Sequence, residues 1–281
     1  MQTYLDFEKP ISDLESKIEE LRHLSDDGDI NIADEVTRLQ AKADKTLRQI
    51  YAKLSPWQKV LVARHPERPH TVDYISALIE DFTPLAGDRG FAEDRAIVGG
   101  LGRFRGHAVV VLGHEKGADT QERMAHNFGM ARPEGYRKAL RIYRMAERLK
   151  HPVICIVDTP AAHPGIEAEA HGQGYAIAYN LLESFKINVP ILCVILSEGG
   201  SGGALAIAVG DRIAMCENAV YVICPPERCA EILWRDVEKR EMAASALRVS
   251  AADLKSLGII DSILAEPNGG AHRDFEGAAE S

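Results

Sequence analysis

A glycine-rich segment between two apolar runs constrains the fold of this chain more than any other feature. Residues 198–203 are Glu-Gly-Gly-Ser-Gly-Gly. The preceding run, 191–196, is apolar at every position, which is typical of a central strand covered on both faces. The following run, 204–209, predicts a buried helix. Gly199, Gly200, Gly202 and Gly203 are therefore predicted to form a strand-to-helix turn with free main-chain N–H groups.

Such a turn predicts contact between the main chain and an anionic oxygen. Without Cβ atoms, two N–H donors can be approached closely, as in an oxyanion hole for an enolate or as at a phosphate site. No Lys or Arg occurs from 187 to 211, and neither the P-loop pattern nor Gly-x-Gly-x-x-Gly is present at this turn. A nucleotide site is therefore disfavoured here. The alternative, that the glycines only allow close packing of helix on strand, remains open.

Short apolar runs alternate with helical patterns from about residue 96 onward. The spacing of about 35 residues from strand to strand predicts right-handed crossovers and a parallel sheet with both faces covered. The chain is therefore predicted to be an α/β protein. The predicted strands are 108–113, 153–158, 191–196 and 219–224, and the predicted helices are 133–150 and about 172–186.

The N-terminal part has a different pattern, which predicts a helical hairpin. Ser12 and Glu15 have capping-box spacing at the start of a helix that runs to about residue 24. Residues 26–29 are expected to break this helix, and Asn31 to cap the next one. The apolar stripe of that second helix extends to Leu54.

We therefore divide the chain into a helical N-terminal extension, 1–54, and a main domain, 55–281. A serine followed by a proline, Ser55-Pro56, predicts a new helix at this boundary. At the other end, residues 272–281 are mostly small and polar, and they are predicted to fray.

Composition indicates a globular protein of the cytoplasm. The net charge of −9 disfavours binding to nucleic acid or to an anionic membrane. The apolar runs are far shorter than the roughly twenty residues of a membrane-spanning helix, and the acidic N-terminus is unlike a signal peptide. There are 5 cysteines and no Cys-x-x-Cys, so they are predicted to be reduced core residues, and no metal site is expected in this chain.

Polar residues also follow the strand 153–158. Asp158 ends this strand and could act as a base, although a carboxylate that bonds to nearby N–H groups is the preferred interpretation. His163 is either a proton carrier or an exposed loop residue without a partner. If the strands 153–158 and 191–196 are neighbours, the turns that follow them edge one cleft.

The remaining candidates are weaker. Glu167 and Glu169 are interpreted as acids that stabilise the start of a helix. Ser201 is flanked by glycines, but the predicted helix begins too late for a nucleophile elbow, and no Ser-His-Asp set can be assembled. A serine hydrolase is therefore disfavoured.

Several blocks of sequence together carry a family resemblance. They lie in the same order along about residues 4–273, and they resemble the alpha subunit of bacterial acetyl-CoA carboxylase carboxyltransferase. The resemblance implies a ClpP/crotonase-type fold of repeated ββα units with a helical N-terminal extension. The blocks are 5–8 (LDFE), 63–66 (ARHP), 85–89 (LAGDR), 96–100 (AIVGG), 127–130 (NFGM), 133–139 (PEGYRKA), 198–206 (EGGSGGALA) and 269–273 (GGAHR).

The resemblance also implies a reaction and its partners. Carboxybiotin on the biotin carboxyl carrier protein, which biotin carboxylase charges, would donate its carboxyl group to acetyl-CoA and give malonyl-CoA. A zinc-ribbon beta subunit would complete an α2β2 assembly, holding the zinc and most of the acetyl-CoA site. In this chain, the N–H groups of Gly202 and Gly203 match the donor pair that stabilises the biotin oxyanion. The further carboxybiotin contacts are expected at Gly199, Gly200, Ser201, Ala161, His163 and Gly165.

Six positions depart from the usual family pattern near this cleft, and the chain ends before the family's usual C-terminal helices. Two alternatives therefore stay open beside the catalytic subunit. One is a non-catalytic assembly or regulatory subunit, and the other is a related acyl-CoA carboxyltransferase or decarboxylase. The departures are Ala161, His163, Glu167, His171, Ser197 and Arg228, with Pro225 and Pro226 beside the last of them.

Overall fold

The computed structural model describes residues 3–24 and 30–281. Within them, the N-terminal hairpin consists of α1 (Lys9–Leu24) and α2 (Ile30–Tyr51), which contact each other. Helix α1 begins three residues before Ser12, so the predicted cap at Ser12 is wrong. A 3₁₀ turn leads directly into the helix, and there the Glu8 carboxylate accepts a hydrogen bond from the Leu5 N–H at 2.9 Å. The predicted break at 26–29 and the Asn31 side chain lie outside the described residues.

Helix α3 (Pro56–Ala63) starts as the sequence predicts. Ser55 is its N-cap and accepts a hydrogen bond from the Gln58 N–H, while the Gln58 side chain accepts one from the Ser55 N–H. Pro56 takes the first helical position, where its missing N–H costs nothing. Helix α4 (Thr71–Leu78) follows and leads into the sheet.

One mixed sheet forms the centre of the described fold, with strand order β1-β2-β3-β4-β5-β6-β8 and with β7 paired to the carboxyl end of β5. Strands β1 to β3 are antiparallel, and β3, β4, β5, β6 and β8 are parallel. The strands are β1 (Glu80–Pro84), β2 (Ile97–Phe104), β3 (His107–His114), β4 (Val153–Thr159), β5 (Ile191–Gly200), β6 (Arg212–Cys216), β7 (Val220–Val222) and β8 (Ser262–Leu264).

The parallel crossovers confirm the predicted α/β class. Helices α6 (Pro133–Leu149) and α8 (Gln173–Ser184) agree closely with the predicted helices 133–150 and about 172–186. The predicted strand 219–224 shrinks to β7, and β6 lies before it, where no strand was predicted. The remaining helices are α5 (Thr120–Ala125), α6 (Pro133–Leu149), α7 (Ile166–Ala170), α8 (Gln173–Ser184), α9 (Ser201–Leu205), α10 (Pro226–Trp234), α11 (Arg240–Leu247), α12 (Ala251–Ser256) and α13 (Phe275–Glu280).

The core lies between the sheet and α6. Tyr136, Ile142 and Tyr143 of α6 are fully buried, and the Tyr143 hydroxyl donates to the Ile207 carbonyl oxygen at 2.7 Å. Four of the five cysteines are buried, which confirms that those four are core residues, and Cys224 is half-buried. Among the described residues, no helix is both long and apolar enough to cross a membrane.

The C-terminal residues do not fray, so that prediction is wrong. Helix α13 forms at the end of the chain, and the Phe275 ring packs edge-on against Tyr74, with ring centroids 5.2 Å apart. Arg273 donates to Glu15 at 3.1 Å and lies 3.4 Å from Glu8. The polar composition misled the prediction because Phe275 and Arg273 make contacts that are distant in sequence.

Candidate active site

The two predicted turns meet at one edge of the sheet. Strands β4 and β5 are neighbours, and Thr159 pairs with Gly199 at their carboxyl ends. A Cβ atom on Gly203 would lie 2.5 Å from the Ala161 carbonyl carbon, so the two turns are in main-chain contact. The strands are therefore neighbours, as the sequence prediction required, and the turns that follow them pack directly against each other.

The glycine turn is shorter than the sequence predicts. Gly199 and Gly200 are the last residues of β5, and the helix predicted over 204–209 is instead α9, which starts at Ser201 and ends at Leu205. Gly199 lies against an aromatic ring, because a Cβ there would be 2.6 Å from Tyr221 Cδ2. The turn proper is therefore Ser201, Gly202 and Gly203, whose N–H groups have no acceptor in the helix that they begin.

Gly202 is the accessible glycine of this turn. It is half-exposed, whereas Gly203 is buried. The nearest atoms to a Cβ on Gly202 are those of Ile177, at 3.9 Å, so a Cβ there would make an ordinary contact and no clash. The arrangement leaves room for a ligand at Gly202 and packs Gly203 against the neighbouring loop.

Ser201 has a main-chain φ of 53°, in the left-handed region that non-glycine residues seldom occupy. Because α9 begins at Ser201, the argument that the helix starts too late for a nucleophile elbow is wrong. Within the described ranges, however, no histidine or carboxylate hydrogen-bonds to the Ser201 hydroxyl. The conclusion that no Ser-His-Asp set is assembled therefore stands on geometry.

His163 has a partner, which the sequence did not indicate. The side-chain nitrogen of Asn127 lies 2.9 Å from His163 Nδ1, and the imidazole ring covers the Cα of Gly165. An amide N–H that donates to Nδ1 leaves the ring proton of neutral His163 on Nε2. The only sequence signal at Asn127 was the block 127–130, which carries the family resemblance. In the structure Asn127 has a positive φ of 48°.

Asp158 is a structural carboxylate. It is buried, Oδ1 accepts a hydrogen bond from Lys116 Nζ at 2.7 Å, and the same oxygen accepts one from the Glu198 N–H at 3.2 Å. Burial alone would raise the pKa of Asp158, but Lys116 and the neighbouring His70 lower it to about 2. A carboxylate this acidic is a poor base at neutral pH, which confirms the preferred interpretation.

Lys116 and Arg64, both half-buried, extend this contact into a chain of ion pairs that the sequence did not reveal. Glu198 accepts from Lys116 Nζ at 2.9 Å and from Arg64 Nε at 2.6 Å, and Arg64 also pairs with Glu227. Burial opposes the charge on Glu198, but the two cations hold its pKa below the usual value. Arg64, Lys116 and Glu198 line a cavity of about 190 Å³ that Pro160 also borders.

A second buried contact fixes the end of β5. Arg68 donates through Nε to Ser197 Oγ at 2.8 Å and forms a two-pronged ion pair with Glu266 at 2.6 and 2.8 Å. Ser197, one of the six departures, is therefore an acceptor that a glycine would not provide. Arg64, which caps the end of α3, and Arg68, in the loop after it, therefore both bind the end of β5 that leads into the glycine turn.

The other departures leave the turn undisturbed. Ala161 has no positive φ, so a side chain is tolerated there. Glu167 is exposed in the first turn of α7, as predicted for a helix-stabilising acid. Arg228 is exposed on α10 and pairs with Glu231 at 2.6 Å. His171 ends α7, with Nδ1 at 3.3 Å from Glu134.

Comparison with known proteins names the family. A family model described as acetyl co-enzyme A carboxylase carboxyltransferase-like matches residues 4–281. The alpha subunit of the acetyl-coenzyme A carboxylase carboxyl transferase from Paramagnetospirillum magneticum is 62% identical over 270 residues, or 96% of this chain and 85% of that protein. The same subunit from Rhodospirillum centenum is 62% identical over 273 residues, or 97% of this chain and 86% of that protein.

Solved structures support the crotonase-type fold. The transcarboxylase 12S structure superposes with a TM-score of 0.61 at 18% identity, covering 76% of this chain and 41% of that one. The beta subunit of Pseudomonas aeruginosa geranyl-CoA carboxylase gives a TM-score of 0.58 at 17% identity, covering 81% of this chain and 46% of that one. This chain thus spans less than half the length of those proteins, and the likeness confirms the predicted fold.

Proposed function

This chain belongs to the family of acetyl-CoA carboxylase carboxyltransferase alpha subunits, and we propose that its glycine turn binds the carboxybiotin end of the reaction. The reaction is carboxyl transfer from carboxybiotin to acetyl-CoA, which gives malonyl-CoA. One observation supports the site most directly: Gly202 is half-exposed, lies in the first turn of α9, and has room for a Cβ atom without a clash.

The donor set of the turn fits the ureido group of biotin. When bound, carboxybiotin supplies the carboxyl group, and negative charge develops on its ureido oxygen as that group leaves. The N–H groups of Gly202 and Gly203 would donate to this oxygen. Because they are fixed to the main chain, they need no reorganisation as the charge develops.

The buried charges support the turn rather than react. The salt bridges of Lys116 to Asp158 and Glu198 connect the carboxyl ends of β4 and β5, from which both turns emerge. Because the low pKa of Asp158 keeps its carboxylate ionised, its salt bridge to Lys116 would persist while negative charge develops on the biotin oxygen. Ala161, His163 and Gly165, on the facing loop, would contact the biotin rings together with Ser201. Gly199 and Gly200, which the sequence also suggested as contacts, are buried against Tyr221 and Pro160 and would support the turn instead.

The remaining components are assigned to partners. A beta subunit with a zinc ribbon would hold the zinc and most of acetyl-CoA, and the two subunits would form an α2β2 assembly. The biotin carboxyl carrier protein and biotin carboxylase would supply carboxybiotin, and the reaction would take place in the cytoplasm. Residues 1–54 would act as an extension of the catalytic domain, 55–281.

The first experiment is malonyl-CoA-dependent carboxylation of free biotin. The full chain is co-expressed with its candidate zinc-ribbon partner, and each chain alone is the control. We expect transfer only with the complex, because the donors lie in this chain and the acyl-CoA site in the other. A stable complex without transfer would reject the catalytic assignment and favour an assembly or regulatory subunit.

A further inference from the structure

Five arginines surround one surface cavity of about 580 Å³, remote in sequence from the glycine turn. Four of them lie on α6 at a spacing of four, three and four residues, which places them on one face of that helix. The fifth lies on the loop before β2, and two tyrosines of α8 complete the cavity. We name this set the arginine cradle: Arg89, Arg137, Arg141, Arg144, Arg148, Tyr175 and Tyr179.

The cradle has more positive charge than its own carboxylates neutralise. Arg137 pairs with Asp88 and Arg144 with Glu183, each at 2.7 Å. Arg141 instead donates to two main-chain carbonyl oxygens, both at 3.0 Å. Arg89 and Arg148 form no ion pair within the part of the chain that the structure describes. Three uncompensated guanidinium groups are notable in a chain with a net charge of −9.

The arginines also disfavour one another's charge. Partial burial lowers the pKa of Arg141, and the neighbouring Arg89 lowers it further, while Glu93 and Asp88 oppose this shift without reversing it. A bound anion would relieve this repulsion, and guanidinium groups are suited to phosphate because they donate in pairs.

An aromatic surface stands beside the positive charge. The rings of Tyr175 and Tyr179 are nearly parallel, 9° apart, with centroids separated by 5.6 Å. Tyr175 is 72% exposed. An exposed ring of this kind offers a face on which a flat base can stack.

We propose that the arginine cradle binds a purine nucleotide that carries two or more phosphate groups. The phosphates contact Arg89, Arg141 and Arg148, and the base stacks on Tyr175. Either a free nucleoside polyphosphate or the phosphorylated adenosine end of coenzyme A provides this chemistry. The cradle is separate from the glycine turn. Ile177 of α8 faces Gly202, and it lies two residues, or about 200°, from Tyr175, so the two side chains are on opposite faces of that helix.

The test is direct binding to the full chain by titration calorimetry, with ATP, coenzyme A and inorganic tripolyphosphate as ligands. We expect one ATP per chain, bound about tenfold more tightly than tripolyphosphate because only ATP stacks. Tyr175→Ala removes that difference and leaves tripolyphosphate binding unchanged. Arg148→Ala weakens both ligands by about tenfold through the loss of a charge-assisted contact.

Arg228→Ala is the matched control, since Arg228 is equally exposed but lies on α10, and we expect unchanged affinities. Both Tyr175 and Arg148 are exposed, so their variants should fold, and Arg141→Gln adds a second test of the charge. Coenzyme A binding that depends on the same residues identifies the coenzyme as the source, and ATP binding alone identifies a free nucleotide. Equal affinities for ATP and tripolyphosphate, absent binding, or indifference to Arg148 and Arg141 would overturn the proposal.

Discussion

The carbonyl oxygen of Pro160 occupies the position that a Cβ atom on residue 200 would need, so Gly200 and Pro160 are in main-chain contact. Gly203 is held in the same way against the Ala161–Ala162 peptide, whereas a Cβ on Gly202 would make no clash. The glycines of one motif therefore have different roles. Gly200 and Gly203 allow two turns to pack together, and Gly202 alone keeps a surface free.

Gly200→Ala should destabilise the protein without any involvement of a ligand. The added methyl group overlaps a main-chain atom that no side-chain rotation can move, so we expect a loss of about 3 kcal/mol in the free energy of unfolding. Urea denaturation measures it. Gly202→Ala is the control, and it should unfold within about 1 kcal/mol of the wild type. Equal stability of the two variants would show that the contact with Pro160 is not rigid.

Gly202→Val should slow carboxyl transfer in the complex by roughly a hundredfold while the chain stays folded. Its side chain enters the space in which the biotin oxygen is proposed to bind, and loss of one such donor costs about 3 kcal/mol of transition-state stabilisation, or roughly a hundredfold in rate. The measurement is the biotin carboxylation assay together with thermal unfolding. Gly90→Val, on an exposed loop, is the matched control and should retain activity. Unchanged turnover for Gly202→Val would exclude the oxyanion role.

The central parallel strands could be predicted from sequence because both of their faces are buried. Strands β3, β4 and β5 have nearly continuous apolar runs, which no exposed element would carry. Strand β2 was missed because it contains Gly99, Gly100 and Gly102, a pattern that otherwise indicates a loop. In the fold these glycines allow close approach, since Gly99 has no room for a Cβ beside Ile142 and Val111.

The position of the glycine turn was predictable, but its supporting charges were not. Lys116 is 82 residues from Glu198, and Arg64 is 134 residues from it. No local spacing encodes such a contact, because it depends on which strands become neighbours. The same reason explains why the Asn127–His163 contact was missed.

Lys116→Met should be strongly destabilising. Asp158 and Glu198 would then share a buried site without the cation between them, and loss of one partner from a buried pair costs about 3–5 kcal/mol. Chemical denaturation at pH 7 measures the loss. Adding Asp158→Asn should restore part of it, because one buried charge is removed. Lys239→Met, at an exposed pair with Asp236, is the control; a similarly small effect at Lys116 would contradict a buried ion pair.

The stability of the protein should fall as the pH drops below about 6.5, because buried histidines resist protonation. Burial lowers the pKa of His114 to about 4, and burial with the neighbouring His65 lowers that of His272 to about 3. Between pH 6.5 and 4 the unfolded chain therefore binds more protons than the folded chain, which favours unfolding.

For His114 alone the loss on going from pH 7 to pH 4 should be about 3 kcal/mol, at 1.36 kcal/mol for each unit of pKa shift. Denaturation at a series of pH values measures the slope, and His114→Gln should make it shallower, since a glutamine does not titrate. His151→Gln, at a histidine that is less buried than His114, is the control for the substitution itself. An identical slope in His114→Gln and the wild type would show that His114 is not held neutral by burial. Below pH 4 a second loss should follow, as Asp158 and Glu266, each with a pKa lowered to about 2, take up protons.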